Sequence, residues 1–183
     1  MIYIMDANVT HWINSWAGQS QLVDLLLVWV SSYGVPILVC AVACQWWTRQ
    51  DRQHTRHILL AAGFSFLIGL ALNQVILLFI QRIRPYDAGV TSLLIAPSSD
   101  PSFPSDHATA AFAIAAAFIV HRFRAAKIFL TAAIFISLSR VYIGTHYVSD
   151  VIGGALTGAL AAGLVCRMYR QGTRADRILT NIF

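Results

Sequence analysis

A chain of 183 residues that is 57% hydrophobic and only 11% charged is no disordered segment. It is also too poor in charge for an ordinary soluble domain, where charged residues run near ~25%. The formal net charge of +5 does not indicate nucleic acid, because the basic residues sit in short segments between apolar stretches rather than on one face. The composition is that of an all-α integral membrane bundle, and the length fits one domain, residues 1–183.

In chain order, residues 6–17 (DANVTHWINSWA) place Trp12, Ile13 and Trp16 among polar positions. That pattern predicts an interfacial amphipathic helix, since Trp favours the headgroup level. It lacks the positive start and long apolar core of a signal peptide. Five apolar stretches follow, at about 22–47, 58–80, 106–120, 128–143 and 148–166. The first, second and fifth approach the roughly 20 residues that a span requires, whereas the third and fourth are short. Backbone groups in a bilayer must be satisfied within the segment, so about five transmembrane helices are expected rather than strands. Gly34-Val35-Pro36 is expected to kink the first span. Gly153, Gly154 and Gly158, with Ala155, Ala159 and Ala162, give the fifth a small-residue face for close packing. The longest non-helical stretch, about 81–104, is long enough to suggest a functional loop.

Orientation follows from the basic residues. Ten of the thirteen fall between spans one and two, between spans three and four, or after span five. Those segments are expected in the cytoplasm, with the N-terminus outside and the C-terminus inside. Cys40, Cys44 and Cys166 lie near the cytoplasmic ends and are expected to be reduced and buried. His11, His54, His57 and His121 show no partner in the sequence.

Three arginines disobey the count: Arg82, Arg84 and Arg140. They share the outer side with Ser105-Asp106-His107 and with His146 and Asp150. Ser105 stands at the start of span three, where free amides and the positive dipole end make an anion site, and His107 falls in the first turn. His146 and Asp150 are spaced i, i+4, so a helix starting there would hold them on one face. The carboxylate would then fix the imidazole tautomer and leave the other ring nitrogen free as a nucleophile. Arg84 and Arg140 supply planar forks suited to phosphate oxygens. The set reads as a phosphoryl-transfer site without metal or cofactor. A divalent cation held by His107, His146 and Asp150 is the rival reading, which the neighbouring arginines oppose by repulsion. A channel would need a continuous polar path across the bilayer, and the span interiors show only isolated Asn73, Gln74 and hydroxyls.

These residues resemble the type-2 phosphatidic acid phosphatase family, whose superfamily includes the vanadium haloperoxidases. Its signature runs K-x6-R-P, P-S-x-H and S-R-x5-H-x3-D, all within residues 77–150 here. The third part is complete as Ser139-Arg140, His146 and Asp150; the second is Pro104-Ser105-Asp106-His107. The first keeps Arg84-Pro85 but has Leu77 in place of Lys, and Arg82 is expected to substitute for it. The resemblance implies His146 as nucleophile, Asp150 as its orienting group and His107 as the acid that protonates the leaving oxygen. It also implies Arg84, Ser105, Asp106 and Arg140 around the phosphoryl group. The chain is most similar to the bacterial undecaprenyl-diphosphate phosphatases of this family, which implies a lipid substrate at the outer face of the inner membrane. Phosphatidylglycerophosphate, phosphatidate and lipid A phosphates are the alternatives. Loop 86–103 is expected to cover the site, with Tyr86 and Asp87 near the phosphate.

Overall fold

The computed structural model describes residues 2–49 and 51–181. Among them there are helices and no strands: α1 (Ile2–Asn14), α2 (Gln21–Cys44) with a 3-10 turn at Gln45–Trp47, α3 (Arg52–Leu77), α4 (Asp106–Val120), α5 (Ala126–Tyr142), α6 (Val148–Met168) and a short α7 (Arg174–Thr180). Five long helices occupy the five expected apolar stretches. Gln21–Trp47, Arg52–Leu77 and Val148–Met168 are long and apolar enough to cross a membrane. Helix α3 begins six residues before the expected stretch, because its start is polar, with Arg56 and His57 buried and bonded to Thr180 and Asp176 of α7. Pro36 lies inside a continuous α2.

Helix α4 is the centre of the bundle, packed against α3, α5 and α6. Its sequence explains the position. In DHATAAFAIAAAFIV, alanines 108, 110, 111, 113, 115 and 117 are all buried. Side chains this small allow three neighbours to approach one helix at once. At 15 residues and ~1.5 Å rise, α4 is only about 22 Å long, shorter than the ~30 Å apolar core of a bilayer.

The expected small-residue face of α6 meets α4. A Cβ on Gly154 would collide with the Ser105 carbonyl, and one on Gly158 with the Thr109 carbonyl and, at 2.7 Å, the Ala113 amide. The opposite faces are apolar and bare: Leu22, Leu25, Leu26 and Trp29 on α2, and Leu156, Leu160 and Leu164 on α6. Apolar surface this continuous marks the lipid-facing wall of a membrane-embedded protein.

Helix α1 inverts the pattern of a soluble amphipathic helix. Its polar residues Asp6, Thr10 and Asn14, spaced i, i+4, i+8, turn inward, while Tyr3, Ile4, Met5, Val9 and Trp12 are exposed. Asn14 donates to the carbonyls of Ser92 and Tyr142 and accepts from the Ser92 amide. The helix begins four residues earlier than the sequence pattern suggested and ends three residues sooner.

At the opposite end of the bundle, His57 has a partner after all. Its Nδ1 lies 2.8 Å from the Asp176 carboxylate, which also accepts from Tyr169 and the Gly172 amide. Burial alone would raise the Asp176 carboxyl, but these hydrogen bonds outweigh it and hold the group below its ordinary value. His54 contacts Gln171, and His11 the Val90 carbonyl. The cysteines are free; Cys40 and Cys44 are exposed, on the apolar outer face of α2, whereas Cys166 is half-buried against the core.

Gly158→Ala should destabilise the bundle by about 1–3 kcal/mol through overpacking against α4. Gly163→Ala, where a Cβ meets nothing within 4 Å, should leave the melting temperature in detergent unchanged. Equal shifts in the two variants would contradict the α4–α6 packing.

Candidate active site

The turn from α5 into α6 builds one wall of the site. The Gly144 amide donates to Val141 O at 3.1 Å and the Thr145 amide to Arg140 O at 3.1 Å, the pairing of a Schellman helix end. Gly144 takes the left-handed conformation this end requires, φ +86°. Arg140 is thus fixed in the last turn of α5 and His146 immediately beyond the reversal. Helix α6 starts at Val148 with Tyr147 as N-cap, so His146 precedes the helix. The i, i+4 spacing to Asp150 is not a shared helical face, although the two remain close.

The His146 Nδ1 lies 2.8 Å from the Ser102 carbonyl and 3.7 Å from Asp150 Oδ2. A carbonyl only accepts, so Nδ1 carries the hydrogen and Nε2 is left bare. The tautomer is therefore set first by a backbone group of the 78–105 loop, with the carboxylate behind it. Ser102 also donates its hydroxyl to Asp150 Oδ2 at 2.5 Å, linking histidine and carboxylate. Asp150 is fully buried. It caps its own helix by accepting from the Tyr147 amide at 2.8 Å and takes Arg82 Nη1 on Oδ1 at 2.6 Å.

His146 lines a cavity of about 350 Å3 together with His107, Arg84 and Arg140. Arg84 is 7% exposed and Arg140 8%, and neither has a carboxylate partner among the described residues. Arg84 donates to the carbonyls of Asp100 and Thr145, and Arg140 to the Ser31 hydroxyl at 2.6 Å, with its Nε bonded to nothing in the protein. Two buried positive charges with donors to spare face one cavity, a combination that binds anions. Burial lowers the His146 imidazole below its ordinary value, and Arg140 and Arg84 add to this while Asp150 opposes it.

Not every expected residue is where the sequence suggested. Arg82 does not line this cavity; its amino groups are held by Asp6, Ser149 and Asp150, so it does not stand in for the missing Lys. Leu77 does line the cavity, with Gln74 one turn earlier. Asp106, the first residue of α4, accepts from Asn73 at 2.6 Å, and a carboxylate offers a phosphate no donor; only its backbone amide could serve. Ser105 occupies the N-cap position, but its hydroxyl makes no capping bond and no other hydrogen bond among the described residues. Tyr86 closes onto Ser98, and the loop reaches the cavity instead through Ile95, Ala96, Ser98, Asp100 and Pro101. Ser102 was not anticipated. A serine in a polar loop has no signature, and the only signal was the length of the loop itself. A second cavity, of about 270 Å3, opens at the other end beside His54, His121, Arg122 and Arg124, where both arginines are exposed.

Residues 58–174 match the PAP2 superfamily. The chain is 30% identical over 158 residues to undecaprenyl-diphosphatase BcrC of Bacillus subtilis (strain 168), covering 85% of this chain and 79% of that protein. It is 40% identical over 105 residues to lipid A 1-phosphatase of Rhizobium johnstonii, covering 52% of this chain and 40% of the other. The crystal structure of a transmembrane PAP2 type phosphatidylglycerolphosphate phosphatase from Bacillus subtilis superposes with a TM-score of 0.66 at 25% identity, over 94% of this chain and 88% of that one.

Arg84→Ala and Arg140→Ala should each weaken orthovanadate binding roughly 10–100-fold, the worth of charge-assisted hydrogen bonds. Calorimetry on the detergent-purified protein reads this directly. Unchanged affinity in both variants would contradict an anion site at the cavity.

Proposed function

The chain belongs to the PAP2 superfamily, and from that premise we propose that it is a metal-independent membrane phosphatase that hydrolyses undecaprenyl diphosphate to undecaprenyl phosphate. The observation that carries the reading is the pair of buried guanidinium groups, Arg84 and Arg140, which make no ion pair among the described residues and line one cavity with two histidines. They bind the terminal phosphoryl oxygens and stabilise the charge that spreads over them in the transition state. They also repel the divalent cation that a histidine–aspartate cluster would otherwise attract. The free Ser105 hydroxyl and the first amides of α4 add donors on the same side.

In the first step the bare Nε2 of His146 attacks the terminal phosphorus. The bond to the bridging oxygen breaks, His107 protonates that oxygen, and the lipid monophosphate leaves. The Ser102 carbonyl and Asp150 stabilise the positive charge that the imidazole acquires. In the second step His107 takes a proton from water, whose oxygen attacks the phosphohistidine and releases inorganic phosphate.

A lipid substrate is supported by the bare apolar faces of α2 and α6, which set the site in a membrane-embedded chain. It is also supported by an apolar groove of about 200 Å3, lined by Val35, Phe66, Leu70 and Ala110, that ends on His107 and Asp106. A chain left in the bilayer fits that groove while its head enters the cavity. The diphosphate is favoured by the likeness to BcrC over most of both chains, whereas the match to the lipid A phosphatase spans only part of each. The basic end carrying α7 then faces the cytoplasm, and the site opens on the outer face of a bacterial inner membrane.

Phosphate release by the purified protein in EDTA should favour undecaprenyl diphosphate over phosphatidate and phosphatidylglycerophosphate, and His146→Ala should abolish it. Preference for a glycerolipid would move the substrate and keep the chemistry; turnover by folded His146→Ala would remove the nucleophile. Because the His146 imidazole is pushed down, its neutral form persists in more acid solution. The acid limb that it contributes to kcat/KM should therefore lie below pH ~6.5, the ordinary histidine value. A limb above that value would contradict the burial argument.

A further inference from the structure

Arg82 is engaged on every side. Nη1 lies 2.6 Å from Asp150 Oδ1 and 2.6 Å from Ser149 Oγ, and Nη2 lies 2.7 Å from Asp6 Oδ2. The guanidinium is stacked on the Tyr147 ring, 3.8 Å from its centroid. One cation thus joins two carboxylates, one on the interfacial helix and one behind the nucleophile. Asp6 is itself fixed: Oδ1 accepts from the Ser149 amide at 3.0 Å and Oδ2 from the Ser149 hydroxyl at 2.5 Å. Thr10, one turn along α1, accepts from the Val148 amide at 3.1 Å. Helix α1 therefore supplies acceptors for the first two free amides of α6, the helix whose first turn carries Asp150.

We infer that Arg82 and Asp6 are positioning residues of the reaction: the chain Asp6–Arg82–Asp150 makes the interfacial helix α1 part of the machinery that holds the carboxylate behind His146. The inference rests on the phosphatase reading above. The physical need is specific. Asp150 is fully buried, and a buried carboxylate is tolerated only when it is paired and hydrogen-bonded. Held in one place, it can offset the positive charge that His146 acquires during attack. Arg84 and Arg140 cannot fill this role, because they face the cavity. Arg82 fixes Asp150 Oδ1, and Asp6 keeps Arg82 from swinging toward the substrate. Burial alone would lower the Arg82 guanidinium, but the two carboxylates outweigh it and raise it. Burial would raise Asp6, yet Ser149 and Arg82 hold it low. Both partners are thus charged across the working range. The other titratable groups beside Asp150 are His146, Tyr147 and, through Tyr147, Tyr3 at 3.3 Å between the hydroxyls.

The test uses the full chain in detergent, with farnesyl diphosphate as a short soluble substrate and orthovanadate as the anion probe. Arg82→Ala should lower kcat about 10–100-fold and leave the vanadate inhibition constant within about twofold. KM should stay within about twofold, because the lost interaction lies behind His146 rather than on the substrate. Arg82→Lys, which returns the cation, should recover part of kcat. Asp6→Asn, which preserves shape and one acceptor, should show a smaller loss in the same direction. In the Asp6→Asn/Arg82→Ala double variant the two losses should not add. A vanadate constant raised in Arg82→Ala in proportion to the loss of kcat would make Arg82 a phosphate ligand and overturn the inference. Unchanged kcat in Asp6→Asn would detach α1 from the chemistry and overturn it as well. Should Arg82→Ala fail to fold, Arg82→Lys and Asp6→Asn carry the same readouts. Activity retained by His146→Ala would instead remove the phosphatase reading on which the inference stands.

Discussion

Two guanidinium groups held inside an apolar bundle, with no ion pair to either among the described residues, are the constraint around which this protein is arranged. A buried charge is costly unless something satisfies it. Arg84 and Arg140 meet only part of that need from the protein, through the carbonyls of Asp100 and Thr145 and the hydroxyl of Ser31. Both line a cavity of about 350 Å3 that Asp100 and Asp106 also line. In the proposed reaction a phosphoryl group supplies the negative charge that the two arginines lack. The third arginine of the outer end shows the contrast. Arg82 lies between Asp6 and Asp150, its charge already balanced, and belongs to the support behind the site rather than to its rim.

The helices serve that cavity by their small residues. An alanine-rich α4 brings His107 to it in its first turn. Glycines on α6 let the two helices meet closely enough for the first turn of each to share one space. The α5–α6 reversal around Gly144 then sets Arg140 and His146 on the same side. Polar residues of α1 turn inward to hold this end together, which leaves the apolar face of that helix for lipid.

Much of this was legible in the sequence, for reasons that differ from residue to residue. His146 and Asp150 could be paired from spacing because the segment between them is local, although they do not share a helical face. The small-residue face of α6 could be read because helical periodicity fixes which residues share a side. The destination of Arg82 could not. It lies two residues from Arg84, and sequence proximity does not say which way a long side chain points in an irregular loop. Its partner Asp6 is 76 residues away. The orienting group for His146 was missed because it is the backbone carbonyl of Ser102, which no side-chain pattern announces. His57 and Asp176 are separated by 119 residues and meet only when α7 folds back on α3. Cys40 and Cys44 were expected to be buried but are exposed, because an apolar position on a span can face lipid as readily as the core.

The account turns on a covalent exchange at His146, so the direct measurement is the stereochemical course of hydrolysis. A diphosphate whose terminal phosphorus is a chiral thiophosphate, labelled with oxygen isotopes, would be hydrolysed in isotopic water and the released thiophosphate analysed for configuration. Two successive in-line displacements, first by His146 and then by water, predict net retention. Net inversion would mean that water attacks the substrate directly, and it would contradict the nucleophile, the intermediate and the purpose assigned to the carboxylate behind them.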